Sequence, residues 1–335
     1  MVVGPDGKLP LPWLEGPFAA ALEQQRGHAL LLHGAAGAGA LPFGLSLAQA
    51  WLCEAGSGAR PCGRCGSCRL VQSRLHPDLR VLLPQLLRRE LNWLLPDDEA
   101  AGEEGKKKPS KQIRIDEVRE AIDWVMKTTS RGRGKVLLLH PAEALNAQSS
   151  NALLKTLEEP PAGTRIVLSA ADPAHLIPTL RSRCQRIALV PPPAEQALAW
   201  LEARGCKQAP VLLAAAGGLP LDALALAEAG VDAAAWSALP RAVARGDATA
   251  FSGWPLPRAI DALQKLCHDA MARGAGGSTR YFPQEALPRS ARLDAVVQWS
   301  QALARAARHD EHPWNEGLLL DALVAQGRAT LTLRP

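Results

Sequence analysis

Residues 29–41, ALLLHGAAGAGAL, form the stretch of this sequence that decides its fold. The first five residues are almost all apolar and predict a short buried strand. Three glycines follow, Gly34, Gly37 and Gly39, and predict a tight loop before an apolar helical pattern begins. A strand, a glycine-rich loop and a helix in this order are typical of the first unit of an α/β domain with parallel strands.

Further short apolar runs have the character of strands, with helical patterns between several of them. They are residues 79–83, 135–139, 165–169 and 185–190. Apolar residues recur at helical spacing from Ile115 to Met126, and a second helical pattern runs from about Asn146 to Glu159. Alternating strands and helices predict parallel strands with crossover helices, so the predicted fold class is α/β.

The loop after the first strand matches a nucleotide-binding P-loop at its glycines only. That motif reads G-x-x-x-x-G-K-[ST], and Gly34 and Gly39 fill both glycine positions. Ala40 and Leu41 stand where the phosphate-binding lysine and the magnesium-binding hydroxyl belong. A chain rich in alanine and glycine can also produce such a loop by composition alone. The loop can hold an anion through backbone N–H groups, but its side chains cannot coordinate Mg²⁺.

The third predicted strand lacks the acidic pair with which an ATPase holds its metal and orients water. The strand continues into His140 and Pro141, and the first carboxylate after it belongs to Glu143. Two independent catalytic elements are therefore missing together, and we predict that this chain does not hydrolyse ATP.

Four of the seven cysteines lie close together in the pattern C-x8-C-x2-C-x2-C: Cys53, Cys62, Cys65 and Cys68. Four thiolates are a ligand set of structural Zn²⁺, and Gly63 and Gly66 favour the tight turns that such a site needs. Disulfides are the alternative in an oxidising compartment, and an iron–sulfur cluster is another, although its usual spacings differ. We predict one structural zinc, because the protein would fill all four coordination positions.

The composition changes along the chain and predicts three domains. Residues 1–190 contain all the predicted strands, with the cysteine module at about 53–68. Residues at about 84–112 combine an acidic block with a basic one and predict a mobile, solvated insertion. Beyond Pro191–Pro193 the chain is rich in alanine and leucine with helical periodicity. A break separates a small helical domain, 191–233, from a longer C-terminal one, 234–335.

Charge and hydropathy restrict the partners. The net charge of +5 permits contact with nucleic acid without requiring it, and an aromatic content of 4% disfavours base stacking. Residues 29–53 contain no charged side chain, but glycines and Pro42 divide them, so we predict no membrane span there. The first ten residues show no signal-peptide pattern, and we expect a cytoplasmic protein.

Several motifs of the first domain occur together in one known family. They are the cysteine module after the P-loop helix, NALLKTLEEPP at 151–161, Asp172-Pro173, and TLRSRC at 179–184, with shorter matches at 11–14 and 27–30. On these residues the sequence resembles the delta-prime subunits of the bacterial DNA polymerase III clamp loader, which belong to the AAA+ superfamily. The resemblance extends from about Leu11 to Pro193 and beyond that depends on length and helical character.

The resemblance implies an AAA+ domain at 1–190, a lid domain at 191–233 and a collar domain at 234–335. It implies a stator that does not hydrolyse ATP, in a hetero-pentamer with gamma or tau motor subunits and the delta subunit. Such a complex loads the sliding clamp (beta) onto primed DNA. The resemblance also implies that Arg183, between Ser182 and Cys184, acts as an arginine finger in a neighbouring subunit's ATP site. A guanidinium is suited to this because its permanent charge pairs with phosphate.

Other interpretations stay open at this point. Taken without the resemblance, Arg183 reads as a surface ion-pair residue, and residues 155–159 as a solvated helix end or an inter-subunit contact. The chain could also be an active motor subunit, which ATP turnover would show. An independent zinc-dependent nucleic-acid module is a third reading, with Arg60, Arg64 and Arg69 near the cysteines. Any DNA contact should be to the backbone and depend on salt.

Overall fold

A computed structural model describes residues 2–24, 27–56, 60–93, 109–287, 293–308 and 315–332 of the chain. The chain forms two compact units, Met1–Pro191 and Pro192–Pro335. Within the described residues, all strands belong to the first unit, and the second unit is helical.

The first unit alternates helices and strands. It begins with α1 (Glu15–Gln24), β1 (Ala29–His33), α2 (Ala40–Leu52) and α3 (Gly66–Gln72). It continues with β2 (Leu79–Leu82), α4 (Gln85–Glu90), α5 (Ile115–Met126) and β3 (Lys135–Leu139). It ends with α6 (Ala147–Glu158), β4 (Thr164–Ala170), α7 (Pro178–Arg181) and β5 (Gln185–Ala188). Each strand coincides with one of the predicted apolar runs, which confirms the α/β fold class.

The five strands form one parallel sheet in the order β2-β3-β4-β1-β5. The first strand therefore lies inside the sheet, where Leu31 pairs with Leu168 of β4 on one side and Arg186 of β5 on the other. Parallel strands have their carboxyl ends at one edge, so the loops that follow β1, β3 and β4 meet at that edge. Ligands of open α/β sheets bind at this edge, which directs attention to the same loops.

The three central strands of the sheet, β3, β4 and β1, are buried on both faces, because helices cover each face. Helices α5 and α6 contribute Val118 and Leu153 to a core cluster with Leu137 and Ile166, all 0% exposed. Helix α2 covers the other face, and a Cβ on Gly44 would lie only 2.7 Å from a methyl group of Leu138. Burial of each such leucine contributes about 1.5–3 kcal/mol relative to leaving it exposed.

The insertion predicted at about 84–112 is ordered at its beginning, contrary to the expectation of an irregular segment. Helix α4 forms there, and the Arg88 side chain is buried, donating to the carbonyl oxygen of Leu83 at 2.7 Å and to Glu117 at 2.9 Å. A polar six-residue helix held by distant partners has no periodic signal in the sequence. Residues 94–108, with most of the acidic and basic blocks, lie outside the described residues.

The second unit contains α8 (Ala194–Glu202), α9 (Ala209–Ala215), α10 (Pro220–Glu228), α11 (Ala233–Arg245), α12 (Leu256–Gly274), α13 (Leu293–Arg308) and α14 (Glu316–Thr332). Its core includes Trp236, whose ring stacks on Phe282 with centroids 4.9 Å apart, and Trp299, whose indole N–H donates to the carbonyl oxygen of Leu323 at 3.0 Å. The buried carboxylate of Asp269 accepts backbone hydrogen bonds from residues 280, 281 and 282 and closes a loop onto α12.

Among the described residues, no single helix is both long and apolar enough to cross a membrane. Helices α9 and α10 reach that length and composition only as a pair, and the pair is bent by 110°. The uncharged stretch at 29–53 divides into β1, a loop and α2, as the sequence predicted.

Candidate functional site

The loop at the carboxyl end of β1 has the backbone that its glycines predict. Gly34 has φ +152°, and a Cβ there would lie 2.2 Å from the carbonyl oxygen of Leu189. Gly39 has φ +99° and immediately precedes α2, whereas Gly37 is buried in a short 3-10 turn. Gly34 also donates its N–H to Ala170 at the end of β4, at 3.3 Å. At Gly34 and Gly39 the backbone conformation, and not composition alone, therefore favours glycine.

The side chains at the start of α2 offer nothing to a bound nucleotide. Ala40 is the first residue of the helix and is 8% exposed, and Leu41 follows it. A methyl group and an isobutyl group neither donate a hydrogen bond to phosphate nor coordinate Mg²⁺. The two positions that would perform phosphate chemistry in a P-loop are apolar in this fold.

The end of β3 holds an imidazole instead of an acidic pair. His140 Nδ1 lies 2.6 Å from Ser169 Oγ, and Ser169 is itself buried. Burial lowers the pKa of His140 to about 4, so the ring is neutral at neutral pH. A half-buried neutral imidazole paired with a serine can neither hold Mg²⁺ as a carboxylate does nor act as the acidic residue that orients water.

The nearest carboxylate beyond β3 already has a structural role. Glu143 Oε1 accepts hydrogen bonds from the backbone N–H groups of Ala171 at 2.6 Å and Asp172 at 3.1 Å. Glu143 thereby connects the segment after β3 to the segment after β4. The sequence showed this carboxylate but not its use, because its partners lie 28 and 29 residues further along the chain.

The four predicted metal ligands converge. Their Sγ atoms all lie within 4.8 Å of one another, with 3.9 Å between Cys53 and Cys65 and 3.9 Å between Cys62 and Cys68. A tetrahedral zinc with Zn–S bonds of about 2.3 Å has sulfur atoms about 3.8 Å apart. A disulfide would need about 2.05 Å, and all four thiols are free. The cluster can therefore hold one metal ion, and its donor set fits zinc.

Backbone N–H groups prepare the cluster for a metal. Cys65 N–H points to Cys62 Sγ and Cys68 N–H points to Cys65 Sγ, each at 3.4 Å. The N–H groups of Arg64 and Cys65 lower the pKa of the Cys62 thiol to about 6, whereas burial raises the pKa of Cys53 and of Cys68. Cys62 is thus a thiolate at neutral pH, and a metal must displace protons from the buried pair.

Glu54, next to the first ligand, fastens the cysteine module to the domain. Glu54 Oε1 forms an ion pair with Arg131 at 2.7 Å, and Oε2 accepts from the N–H of Ser67 at 3.2 Å. A Cβ on Gly66 would lie 3.2 Å from the Arg131 guanidinium, so this arginine lies directly over the module. Arg131 is 77 residues from Glu54, and no sequence pattern related the two.

A buried histidine makes the second connection. His76 Nδ1 accepts from the N–H of Asp78 at 3.0 Å, so its Nε2 donates to Ser67 Oγ at 2.5 Å. The Asp78 carboxylate accepts from the N–H groups of Ser130 and Arg131, each at 2.8 Å. The segment before β2 thereby holds both the module and the loop before β3.

Arg183 lies in the turn between α7 and β5, and its side chain is 32% exposed. Its Nε donates to Glu158 Oε1 at 2.6 Å, its Nη2 pairs with the same oxygen, and its Nη1 donates to the carbonyl oxygen of Thr179 at 2.7 Å. Within this chain the arginine therefore forms the surface ion pair that the sequence had left open. Glu158 is the last residue of α6, so this ion pair joins the turn to the end of that helix.

The neighbours of Arg183 secure the turn. Ser182 Oγ donates to the carbonyl oxygen of Thr179 at 3.1 Å, and Cys184 Sγ donates to that of Leu180 at 3.4 Å. Burial raises the pKa of Cys184 to about 11, so this thiol stays protonated and unreactive. Both side chains are structural parts of the turn that presents the arginine.

A parallel α/β sheet, a P-loop-like backbone without phosphate-binding side chains and a four-cysteine cluster that can hold a metal together define an α/β domain with an inserted cysteine module. Residues 17–193 match the family model described as "DNA polymerase III, delta subunit". The chain belongs to this family, which confirms the predicted resemblance.

Known relatives agree with this assignment. The chain is 38% identical to DNA polymerase III subunit delta' of Pseudomonas aeruginosa over 212 residues, which are 62% of this chain and 58% of the relative. It is 36% identical to subunit delta' of Escherichia coli over 222 residues, 64% of this chain and 60% of the relative. It is 34% identical to subunit tau of Salmonella typhimurium over 157 residues, 47% of this chain and 21% of tau. The matches thus span less than two thirds of these relatives.

Proposed function

We propose that this chain is a delta-prime-type subunit of a DNA polymerase III clamp loader and that it does not hydrolyse ATP. One observation carries the proposal: at the carboxyl edge of the sheet, the side chains that would bind phosphate and Mg²⁺ are replaced by side chains that cannot. Ala40, Leu41 and His140 stand where lysine, hydroxyl and carboxylate would act. Family membership supports the replication role, and the retained loop backbone explains why the domain still has the P-loop fold.

The partners follow from the same proposal. The chain works in a hetero-pentamer with gamma or tau motor subunits and delta, in the cytoplasm, and helps to place the beta sliding clamp on primed DNA. Residues 191–233 serve as the lid domain and 234–335 as the collar domain. Contacts of this chain with DNA are to the phosphate backbone and weaken with salt.

Cys53, Cys62, Cys65 and Cys68 hold one zinc ion with a structural role. The sulfur spacing of 3.9 Å supports this, and four protein ligands leave no position for a catalytic water. When bound, the metal supplies folding energy to the module. The residues of the chain orient the ligands, through the N–H groups that point to Sγ and through Glu54 next to the first cysteine.

Arg183 acts in trans as an arginine finger on a motor subunit's ATP, with Ser182 and Cys184 supporting its turn. The exposure of the guanidinium and its place in the family-like TLRSRC segment support this role. The chemistry is suitable because a guanidinium stabilises the charge on a departing γ-phosphoryl group.

Arg183→Ala in the reconstituted complex tests the trans role. We expect DNA-stimulated ATP hydrolysis and clamp loading to slow severalfold. This is less than the roughly 10³–10⁵ of a complete finger loss, because only one of several ATP sites would depend on this residue. The exposed Arg186→Ala is the matched control and should leave both rates unchanged. Normal rates with Arg183→Ala would refute the finger.

An active motor subunit is the second candidate, because tau also matches 47% of the chain. The purified chain separates the two candidates in a direct measurement of ATP turnover. We expect no turnover above background. Turnover that copurifies with the chain and is absent after a mock purification would favour the motor.

A further inference from the structure

Every nitrogen of the Arg183 guanidinium is used within its own chain. Nε and Nη2 both contact Glu158 Oε1, and Nη1 contacts the carbonyl oxygen of Thr179 and, at 3.4 Å, Ser182 Oγ. The ion pair joins the turn after α7 to the last residue of α6, 25 residues earlier in the sequence. The proposed finger is therefore folded back onto the subunit that carries it.

This geometry conflicts with the action of a finger. A carboxylate in contact with the guanidinium neutralises most of its charge, and a phosphoryl group gains little from an arginine that is already paired. We infer that Glu158 holds Arg183 in a self-paired position, and that the arginine leaves Glu158 when a nucleotide phosphate of the neighbouring subunit competes for it. The inference rests on the proposed trans role of Arg183 and adds a regulatory residue to it.

The Arg183–Glu158 ion pair is weak enough for Arg183 to exchange Glu158 for a nucleotide phosphate. The side chains of Arg183 and Glu158 are 32% and 47% exposed, so solvent screens their attraction. Exposed pairs of this kind shift an equilibrium by only about twofold to fivefold. A nucleotide phosphate carries more negative charge than one carboxylate and can therefore displace it. The Arg183–Glu158 pair restrains the finger without blocking it.

Glu158 lies at an electrostatically unfavourable position at the end of α6, and the ion pair with Arg183 offsets that destabilisation. A carboxylate at the carboxyl end of a helix opposes the helix dipole, whereas a cation there is favourable. Arg183 thus also stabilises the end of α6, and a test must separate that structural effect from the restraint. Glu159 provides the control, because it lies one residue further, is exposed, and its side chain has no ion pair within the described part of the chain.

The test compares Glu158→Gln with Glu159→Gln in the reconstituted complex, with ATP hydrolysis measured without DNA and with saturating primed DNA. We expect Glu158→Gln to raise the DNA-independent rate about twofold to fivefold, since the finger starts unpaired. The DNA-stimulated maximum should stay unchanged, and Glu159→Gln should match the wild type. Glu158→Asp, whose carboxylate is withdrawn by one methylene, should give an intermediate increase and serves if the glutamine variant folds poorly.

Two further variants separate this inference from the proposed function. Glu158→Gln combined with Arg183→Ala should behave as Arg183→Ala alone, because the carboxylate acts through the arginine. If Arg183→Ala slows the complex but Glu158→Gln leaves the DNA-independent rate unchanged or lowers it, the restraint is refuted and the finger stands. If Arg183→Ala leaves all rates normal, the proposed finger fails and the restraint with it.

Discussion

The carboxyl edge of the sheet and the cysteine module differ in whether the side chains that a binding site needs are present. At the sheet edge the backbone of a nucleotide site persists, with Gly34 packed against Leu189, while its side chains have become apolar or neutral. In the module all four thiol ligands are present at metal spacing. The backbone of the loop is needed for the fold, whereas its phosphate-binding side chains are not. A metal module, in contrast, folds through its ligands, so none of them can be lost without losing the module.

Loss of one ligand should produce the largest effect in this comparison. Cys65→Ser should abolish near-stoichiometric zinc and loosen the module, because metal binding and local folding are coupled. The sheet should stay folded, because Cys65 is not part of the hydrophobic core beneath it. Elemental analysis and hydrogen exchange measure the two effects, and Cys206→Ser is the control that should keep its zinc. The zinc site would be contradicted if wild-type protein prepared with ample metal contained no zinc, or if it contained a disulfide among these four cysteines.

Adding a methyl group at Gly34 should show that the close packing of the glycine-rich loop is required for stability. Gly34→Ala places Cβ 2.2 Å from the carbonyl oxygen of Leu189 and should lower the free energy of unfolding by roughly 2–4 kcal/mol. Gly132→Ala shares a positive φ, +73°, but meets nothing within 4 Å, so it reports backbone strain alone. Equal losses in urea unfolding of both variants would show that packing at Gly34 does not matter.

The neutral imidazole at the end of β3 makes stability depend on pH. His140 has a pKa of about 4 when folded and about 6.5 when unfolded, so the unfolded state binds more protons between these values. The free energy of unfolding should therefore fall as the pH decreases, by about 2 kcal/mol from pH 7 to pH 5 for this residue.

Urea unfolding of His140→Gln measures that contribution. The variant should lose this part of the pH dependence, and the exposed His175→Gln should keep it. His76, whose pKa burial also lowers, contributes equally to all three proteins and cancels in the difference. An unchanged pH dependence in His140→Gln would show that His140 is not the titrating group.

Restoring the missing P-loop side chains should have the smallest effect. Ala40→Lys combined with Leu41→Thr returns the lysine and the hydroxyl, but His140 still replaces the acidic residue and Glu143 stays bonded to the N–H groups after β4. We expect no ATP turnover by the isolated variant, and at most weak nucleotide binding by equilibrium dialysis. Substantial turnover would mean that this edge retains more of an ATPase than its side chains indicate.

Local patterns predicted much of this structure because they act over a few residues. The apolar runs predicted every strand of the described residues, and the cysteine spacing predicted which four thiols lie together. The segment at about 84–112 shows the limit of this approach. Helix α4 forms there because Arg88 reaches Leu83 and Glu117, and a contact with a residue 29 positions away leaves no periodic signal.

The sequence by itself determined the α/β class, the apolar side chains of Ala40 and Leu41 at the two positions after the loop, and the identity of the four cysteines that cluster. Each of these depends on residue type and short spacing. Only the tertiary structure decided that β1 lies between β4 and β5, that Arg131 fastens the module through Glu54, and that Arg183 pairs with Glu158. The two ion pairs join residues 77 and 25 positions apart, and β1 pairs with strands still further along the chain. Packing of the whole domain brings such partners together, and no local pattern encodes it.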